Sequence, residues 1–178
     1  MAQTPYKVRG DFEVGDVFEV RLVDGKKAYL QYIGKDTLQI RAHVVRVFKN
    51  RHPVDSSPDI EDVVNDAVEF YAHVISVEFG MQDGTWARIG NSKNIGNPSS
   101  AFFRDPGDPD EQEGDGRWRG PKVSKTWYLW RFGDSEKVFV KQLKGKDIEA
   151  ERGDAMWPRR VVERIETGQY SGLYPNYQ

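Results

Sequence analysis

The feature that most constrains the fold is the alternation of apolar and polar residues over residues 15–34, GDVFEVRLVDGKKAYLQYIG. Because successive side chains of a β-strand point to opposite faces, each half of this stretch predicts a strand with one apolar face. Asp24-Gly25 separates the halves, and these residue types tolerate the positive φ that a two-residue primed turn requires. The stretch therefore predicts a β-hairpin, and Gly34-Lys35-Asp36 predicts a second turn after it.

A third strand is predicted where Leu38, Ile40, Ala42 and Val44 share one face. The alternation shifts phase at Val44-Val45, which is typical of a β-bulge or a strong bend. A bent three-stranded meander of this kind begins many SH3-like barrels, and it also begins open antiparallel sheets. The pattern leaves both alternatives open for the N-terminal end of the chain.

Residues 51–68 predict a connector followed by a short helix. Pro58 suits a first helical position, acidic residues follow it, and Ile60, Val63, Val64 and Ala67 fall on one helical face. Residues 70–79 then alternate as a strand, Asp83-Gly84 offers a turn, and TWARIG predicts the returning strand of a second hairpin. The sheet is therefore expected to grow to about five strands.

The rest of the chain begins with a long stretch, residues 91–121, that lacks periodicity and predicts an irregular acidic loop. TWYLWRF (126–132) and KVFVKQL (137–143) predict a third hairpin. A closing helix is predicted between Pro158, which suits a helix start, and Gly168, which suits a C-cap. The 178 residues fit a single α+β domain, residues 1–178, with mostly antiparallel sheet and two short helices.

Composition excludes several classes of protein. Lys and Arg number 26 against 28 Asp and Glu, so there is no general basic field for nucleic acid. The absence of cysteine excludes disulfides, thiolate metal sites and a cysteine nucleophile. The chain shows neither the apolar core of a signal peptide nor a run of about 18 apolar residues. These observations predict a cytoplasmic protein that does not engage a membrane.

No motif for catalysis, cofactor binding or metal binding emerges. His43, His52 and His73 lack the spacing of a helical zinc pair, and GNSKNIG (90–96) lacks the register of a phosphate loop. Asp108 and Asp110 have the spacing that opens an EF-hand loop, but Glu113 stands where the turn glycine belongs. We therefore expect no enzymatic activity, no cofactor and no metal.

Two features point to a protein partner. The first is the acidic segment, residues 105–115, which carries six acids and no base. Its acids are Asp105, Asp108, Asp110, Glu111, Glu113 and Asp115, and Trp118 follows three residues later. Such a segment suits a basic partner surface, or else it is a solvated loop held open by its own charge. The second is the group of aromatic residues that follows, which serves either the core or a partner contact: Trp118, Trp127, Tyr128, Trp130 and Phe132.

Residues 12–34, F-x-V-G-D-V-F-E-V-x-L-x-D-G-x-x-A-Y-L-Q-Y-I-G, resemble the start of the bacterial immunity protein 26 family. WYLWRFGDSEKVFV and WPRRVVERI are similar in kind to the later strand pair and closing segment of that family. The resemblance implies a mainly β protein, encoded beside polymorphic toxin genes, that binds and blocks a cognate toxin domain. A nuclease with a basic surface is one such partner, and the resemblance supplies no catalytic residues.

Two other classes of function remain open at this stage. A nucleic-acid-associated SH3-like barrel module would use Arg41, Arg46, Lys49 and Arg51 with stacking aromatic side chains, although the charge balance disfavours it. An enzyme would need a site assembled from scattered His, Asp and Tyr residues.

Overall fold

The computed structural model describes residues 11–112, 114, 118–119, 121–172 and 174–177. In these residues the fold is α+β with mostly antiparallel sheet, as the sequence predicts. Short 3₁₀ turns lie at Pro98–Ser100 and Gly145–Glu149. The strands and helices are β1 (Asp16–Arg21), β2 (Lys26–Asp36), β3 (Ala42–Phe48), β4 (His52–Pro53), α1 (Ile60–Val64), β5 (Val68–Val74), α2 (Val77–Gln82), β6 (Ala87–Asn91), β7 (Phe102–Pro106), β8 (Glu111–Gln112), β9 (Trp118–Arg119), β10 (Val123–Ser124), β11 (Trp127–Arg131), β12 (Val138–Val140), β13 (Glu151–Arg152), α3 (Pro158–Thr167) and β14 (Asn176–Tyr177).

The first sheet has the strand order β5-β3-β2-β1-β6, and β4 pairs with one end of β2. The predicted first hairpin is confirmed, because Phe18 lies opposite Leu30 and Val20 lies opposite Ala28. Its turn differs from the prediction. Leu22 N donates to Lys26 O at 2.9 Å, which leaves a three-residue loop in which only Gly25 has a positive φ, 78°. This is the pattern of a turn followed by a left-handed glycine.

β2 continues through the predicted turn at Gly34-Lys35-Asp36, so that prediction is wrong. The predicted irregularity is present: the register of β2 and β3 shifts between the pairs Tyr32–Val45 and Gly34–Val44. Gly34 has a φ of 145°, and a Cβ there would lie 2.7 Å from Phe132 Cζ. The chain therefore reverses later, between the end of β2 and the start of β3 at Ala42.

The first sheet does not close, so the SH3-like barrel alternative is wrong. In the described part of the chain, β5 and β6 are its two edges, and β6 pairs with β1 instead of returning along β5. The predicted strand 70–79 ends at Val74, and α2 follows it, capped by the Ser76 side chain. The second hairpin is therefore wrong as well: a helix between two strands lets the chain cross to the opposite edge.

The second sheet has the order β12-β11-β7-β13. The predicted third hairpin is confirmed by the antiparallel pairing of β11 with β12. β7 lies within residues 91–121, for which the sequence predicts an irregular loop, so that prediction is wrong at β7, which pairs antiparallel with β11. The five residues of β7 are too few for periodicity to reveal them, because their alternation is visible only once the neighbouring strand is known.

Apolar side chains cover both faces of the first sheet. One face packs Phe18, Leu30 and Val47 against α2 and α3, and α3 begins at Pro158 and ends at the left-handed Gly168 as predicted. The other face packs Tyr29 and Phe48 against α1. The two sheets meet where Ile33 and Val44 contact Phe103 and Trp130.

Candidate functional site

The three histidines make different local contacts. No group of three or more His, Asp or Glu side chains that could hold a metal ion occurs within the described residues. His43 Nδ1 accepts a hydrogen bond from Val77 N at 3.1 Å, at the start of α2. The His52 ring packs edge-on to Tyr29, with centroids 5.2 Å apart. The His43 hydrogen bond holds the start of α2, and the His52 contact packs β4 against Tyr29 of β2.

The third histidine lies in a buried polar network at the junction of the sheets. His73 Nε2 lies 3.1 Å from Asp36 Oδ2, and Trp130 Nε1 donates to the same oxygen at 3.2 Å. Gln39 N donates to Asp36 Oδ1 at 2.9 Å. Despite burial, which acts in the opposite direction, hydrogen bonds from His73 and Gln39 lower the pKa of Asp36 to about 2. Because all three side chains are enclosed, no substrate can reach this pair, and its role is to join the sheets.

A second buried network holds α1 and the segment after β6 over the first sheet. Arg46 Nε donates to Gln31 Oε1 at 2.8 Å, and Arg46 Nη2 donates to the carbonyls of Val64 and Asn94. Gln31 Nε2 donates to the carbonyls of Gly15 and Ser92. Arg46 is therefore a structural residue and is not available to a nucleic acid strand.

The acidic segment, residues 105–115, is not a row of equivalent free carboxylates. Asp105 lies on β7, half-buried, with Lys137 Nζ at 3.8 Å, and burial raises its pKa. The Asp108 carboxylate accepts hydrogen bonds from the Ser124 and Thr126 hydroxyls and from the amides of Lys125 and Thr126. These bonds, first among them that from Lys125 N, lower the pKa of Asp108 to about 2. Asp108 thus fixes the start of the segment to β10.

The remaining predicted partner-binding residues follow that anchor. Asp110 is exposed, and Glu111 and Trp118 lie on the short strands β8 and β9, which pair with each other. Glu113 and Asp115 lie outside the described residues. The β8–β9 pair thus joins the backbone inside the acidic segment to the backbone just after it.

An exposed aromatic pair lies beside Asp105 on the second sheet. Tyr128 is paired with Asp105 on one side and with Phe139 on the other. The Tyr128 and Phe139 rings are 5.4 Å apart in an edge-to-face arrangement, and they are 37% and 52% exposed. Trp127 and Trp130, in contrast, are buried. The aromatic run thus divides between core and surface, and its surface member lies next to a carboxylate.

Sequence reasoning missed a cavity of about 530 Å³ on the face of the first hairpin that packs against α1. It is lined by Glu19, Lys27, Tyr29, Ser57, Pro58, Asp59, Ile60 and Ile89. Glu19 and Lys27 occupy the polar positions of the alternating stretch, where an exposed face is the ordinary expectation. The connector between β4 and α1 covers that face, and nothing local in the sequence indicates it.

The helices in the described ranges are all too short or too polar to cross a bilayer. Comparison with curated proteins found no match, and neither did comparison with solved structures. A sequence model of the family described as Immunity protein 26 matches residues 13–108, more than half of the chain. This match includes the first sheet, α1, α2 and β7, and it extends well beyond the stretch that carries the resemblance in the sequence. The chain therefore belongs to the immunity protein 26 family.

Proposed function

We propose that this protein binds a cognate bacterial toxin domain in the cytoplasm and neutralises it by stoichiometric occlusion, without catalysis. The observation that carries the proposal is membership of an immunity protein family over residues 13–108. The fully enclosed state of the His73–Asp36 pair supports a binding role, because it removes the most plausible acid–base pair from contact with a substrate.

We further propose that the acidic segment contacts a basic surface of the toxin, such as that of a nuclease. Asp110 is exposed, and the Tyr128–Phe139 pair beside Asp105 offers an apolar anchor next to the charges. Aromatic anchors next to complementary charge are typical of interfaces, where the charges speed encounter and the anchors slow dissociation. Asp108 is excluded from the contact set because its carboxylate is already occupied within the chain.

The first experiment is coexpression with the toxin domain encoded beside this gene. The expected results are a one-to-one complex and loss of toxin activity that is complete at equimolar protein. Toxin activity that persists at a molar excess of this protein would refute neutralisation by occlusion. Slow loss of activity at sub-stoichiometric protein would instead indicate turnover.

The second experiment tests the contact surface by binding kinetics. Asp110→Asn with Glu111→Gln should slow association, and the difference should shrink as salt screens charges beyond about 8 Å. Trp118→Ala and Tyr128→Ala should mainly speed dissociation. The matched control is Glu136→Gln with Glu149→Gln, which makes the same change in net charge at exposed positions elsewhere. Equal association rates for the two double variants at low salt would refute the role of the acidic segment.

A nucleic-acid-binding module is not favoured. Of the four basic residues that the sequence offered for this role, Arg46 is buried, and Arg51 pairs with Glu69 and donates to the carbonyls of Phe48 and Lys49. The barrel that would present them is absent from the described fold.

A further inference from the structure

The cavity between the first hairpin and the start of α1 contains a nearly buried ion pair. Lys27 is 4% exposed, and its Nζ donates to Glu19 Oε2 at 2.8 Å. The hydrogen bond with Glu19 raises the pKa of Lys27, so the ammonium group stays charged. The buried Tyr29 ring lies beside it, with its centroid 5.8 Å from Nζ. A buried charged pair on a cavity wall is unusual for a surface whose only task is to fold.

The carboxylates of the cavity have acceptor capacity that the described residues do not use. Glu19 Oε1 accepts no hydrogen bond from them, since Arg21 Nε is 3.8 Å away on a largely exposed side chain. Asp59 Oδ1 accepts a hydrogen bond from Glu61 N and so caps α1. Asp59 Oδ2 accepts no hydrogen bond in the part of the chain that is described. Each carboxylate can accept several bonds. The cavity thus offers two carboxylates against one internal cation, Lys27, and Arg21 is a second, largely exposed ion-pair partner of Glu19.

The charge around the cavity has the same sign. The connector and α1 beside the cavity, residues 54–64, contain four acids and neither Lys nor Arg. Glu61 and Asp62, on α1, are exposed and form no ion pair with the described residues, whereas Asp55 lines a different cavity together with Lys26 and Arg51. Glu19 and Asp59 therefore line a cavity whose rim attracts cations and repels anions. The other walls, formed by Pro58, Ile60 and Ile89, are apolar and suit an alkyl chain.

We propose that this cavity binds a cationic side chain, Arg or Lys, supplied by a protein partner. The charged group of that side chain donates hydrogen bonds to Glu19 Oε1 and to the Asp59 carboxylate. Its methylene groups pack against Ile60 and Ile89. The assignment of that side chain to the toxin rests on the proposed function. The site is separate from the acidic segment, since it lies on the first sheet and takes a single side chain.

The cavity can be tested without the toxin. Amide chemical shifts are followed by NMR while Nα-acetyl-arginine amide is added, and Nα-acetyl-citrulline amide serves as the uncharged probe of the same shape. Saturable shifts at Glu19, Lys27, Ile60 and Ile89 are expected with the arginine probe and not with the citrulline probe. Equal shifts with both probes, or no shifts with either, would overturn the proposal. Shifts at the same residues on adding phosphate in place of arginine would show an anion site and would overturn it too.

Two variants locate the binding. Ile89→Trp places a larger side chain in the cavity at a position that is 38% exposed, and it should abolish the arginine shifts. Ile148→Trp, at a 40% exposed position elsewhere, is the matched control and should retain them. Asp59→Asn keeps a good N-cap while removing the charge, so it should weaken arginine binding without unfolding α1. Retained shifts in Ile89→Trp with a native melting curve would refute the location.

The toxin then identifies the occupant. Ile89→Trp should weaken toxin binding by about 30-fold or more, as expected for loss of a central anchor, whereas Ile148→Trp should bind as the wild type does. Equal toxin affinity of Ile89→Trp and wild type would overturn the assignment of the occupant. Failure of the wild type to form any toxin complex would refute the proposed function instead, while the arginine probe would still report on the cavity.

Discussion

The buried carboxylate of Asp36 should be among the most sensitive positions of the chain. It accepts hydrogen bonds from three different parts of the fold: His73 on β5, Trp130 on β11 and the backbone of Gln39. Asp36→Asn keeps the volume and one oxygen for Gln39, but it turns an amide group toward the two ring donors. Each buried donor left without an acceptor costs about 1–3 kcal/mol, so the expected loss for the two ring donors is roughly 2–6 kcal/mol.

The pH dependence provides an independent check of this reasoning. The pKa of Asp36 is lowered from 3.8 to about 2 in the folded protein. A lowered pKa means that the stabilisation is complete above the unfolded value and disappears as the pH falls through the folded value. The difference in stability between wild type and Asp36→Asn should therefore be full at pH 7 and should shrink between about pH 4 and pH 2.

Urea unfolding followed by tryptophan fluorescence measures both effects, because Trp130 is itself one of the donors. Asp62→Asn is a suitable control, since Asp62 is exposed and should change the free energy of unfolding by less than about 0.5 kcal/mol. A loss below about 1 kcal/mol at neutral pH, or a difference that stays constant down to pH 2, would refute the role assigned to the network.

Further predictions concern turns, packing and ions. Gly25→Val should cost about 1–3 kcal/mol by thermal unfolding because Gly25 has a positive φ, whereas Gly25→Asn should cost less. Gly34→Ala should cost a comparable amount, since its Cβ would lie 2.7 Å from Phe132 Cζ; an unchanged melting temperature would contradict that contact. Asp108→Asn should destabilise the protein at neutral pH, and urea titrations should show this effect fading as the pH falls toward about 2. A chelator should leave the melting temperature unchanged, and stoichiometric zinc in the purified protein would disprove the prediction of a metal-free fold.

The elements that the sequence predicts correctly are determined by residues that are close together in the sequence. The first and third hairpins and α3 each carry their own period and their own turn or cap residues. The errors concern pairing over long distances. TWARIG contains a strand, but its pairing with β1 depends on α2, which looks like the continuation of β5 until Ser76 is seen to cap it. β7 becomes recognisable only beside β11.

The candidate sites also combine features that the sequence shows with features that only the tertiary structure shows. An excess of acids in residues 105–115 is visible in the sequence, yet Asp108 and Asp110 look alike there. Only tertiary structure shows that Asp108 is held by Ser124 and Thr126 whereas Asp110 is exposed. The Glu19–Lys27 pair lies at ordinary outward positions of a hairpin, and it becomes a cavity wall because a connector some thirty residues later, residues 57–60, folds over it.

The contact between β5 and Met156 has a consequence for synthesis of the chain. Met156 N donates to His73 O and Ile75 N donates to Met156 O, so a residue far along the sequence covers the C-terminal end of the β5 edge. Until that residue leaves the ribosome, the β5 edge is an open template for another strand. At about 5–20 residues per second, this exposure lasts for several seconds on each nascent chain. Chains that stop before Met156 should therefore form intermolecular strand pairs more readily than full-length chains do.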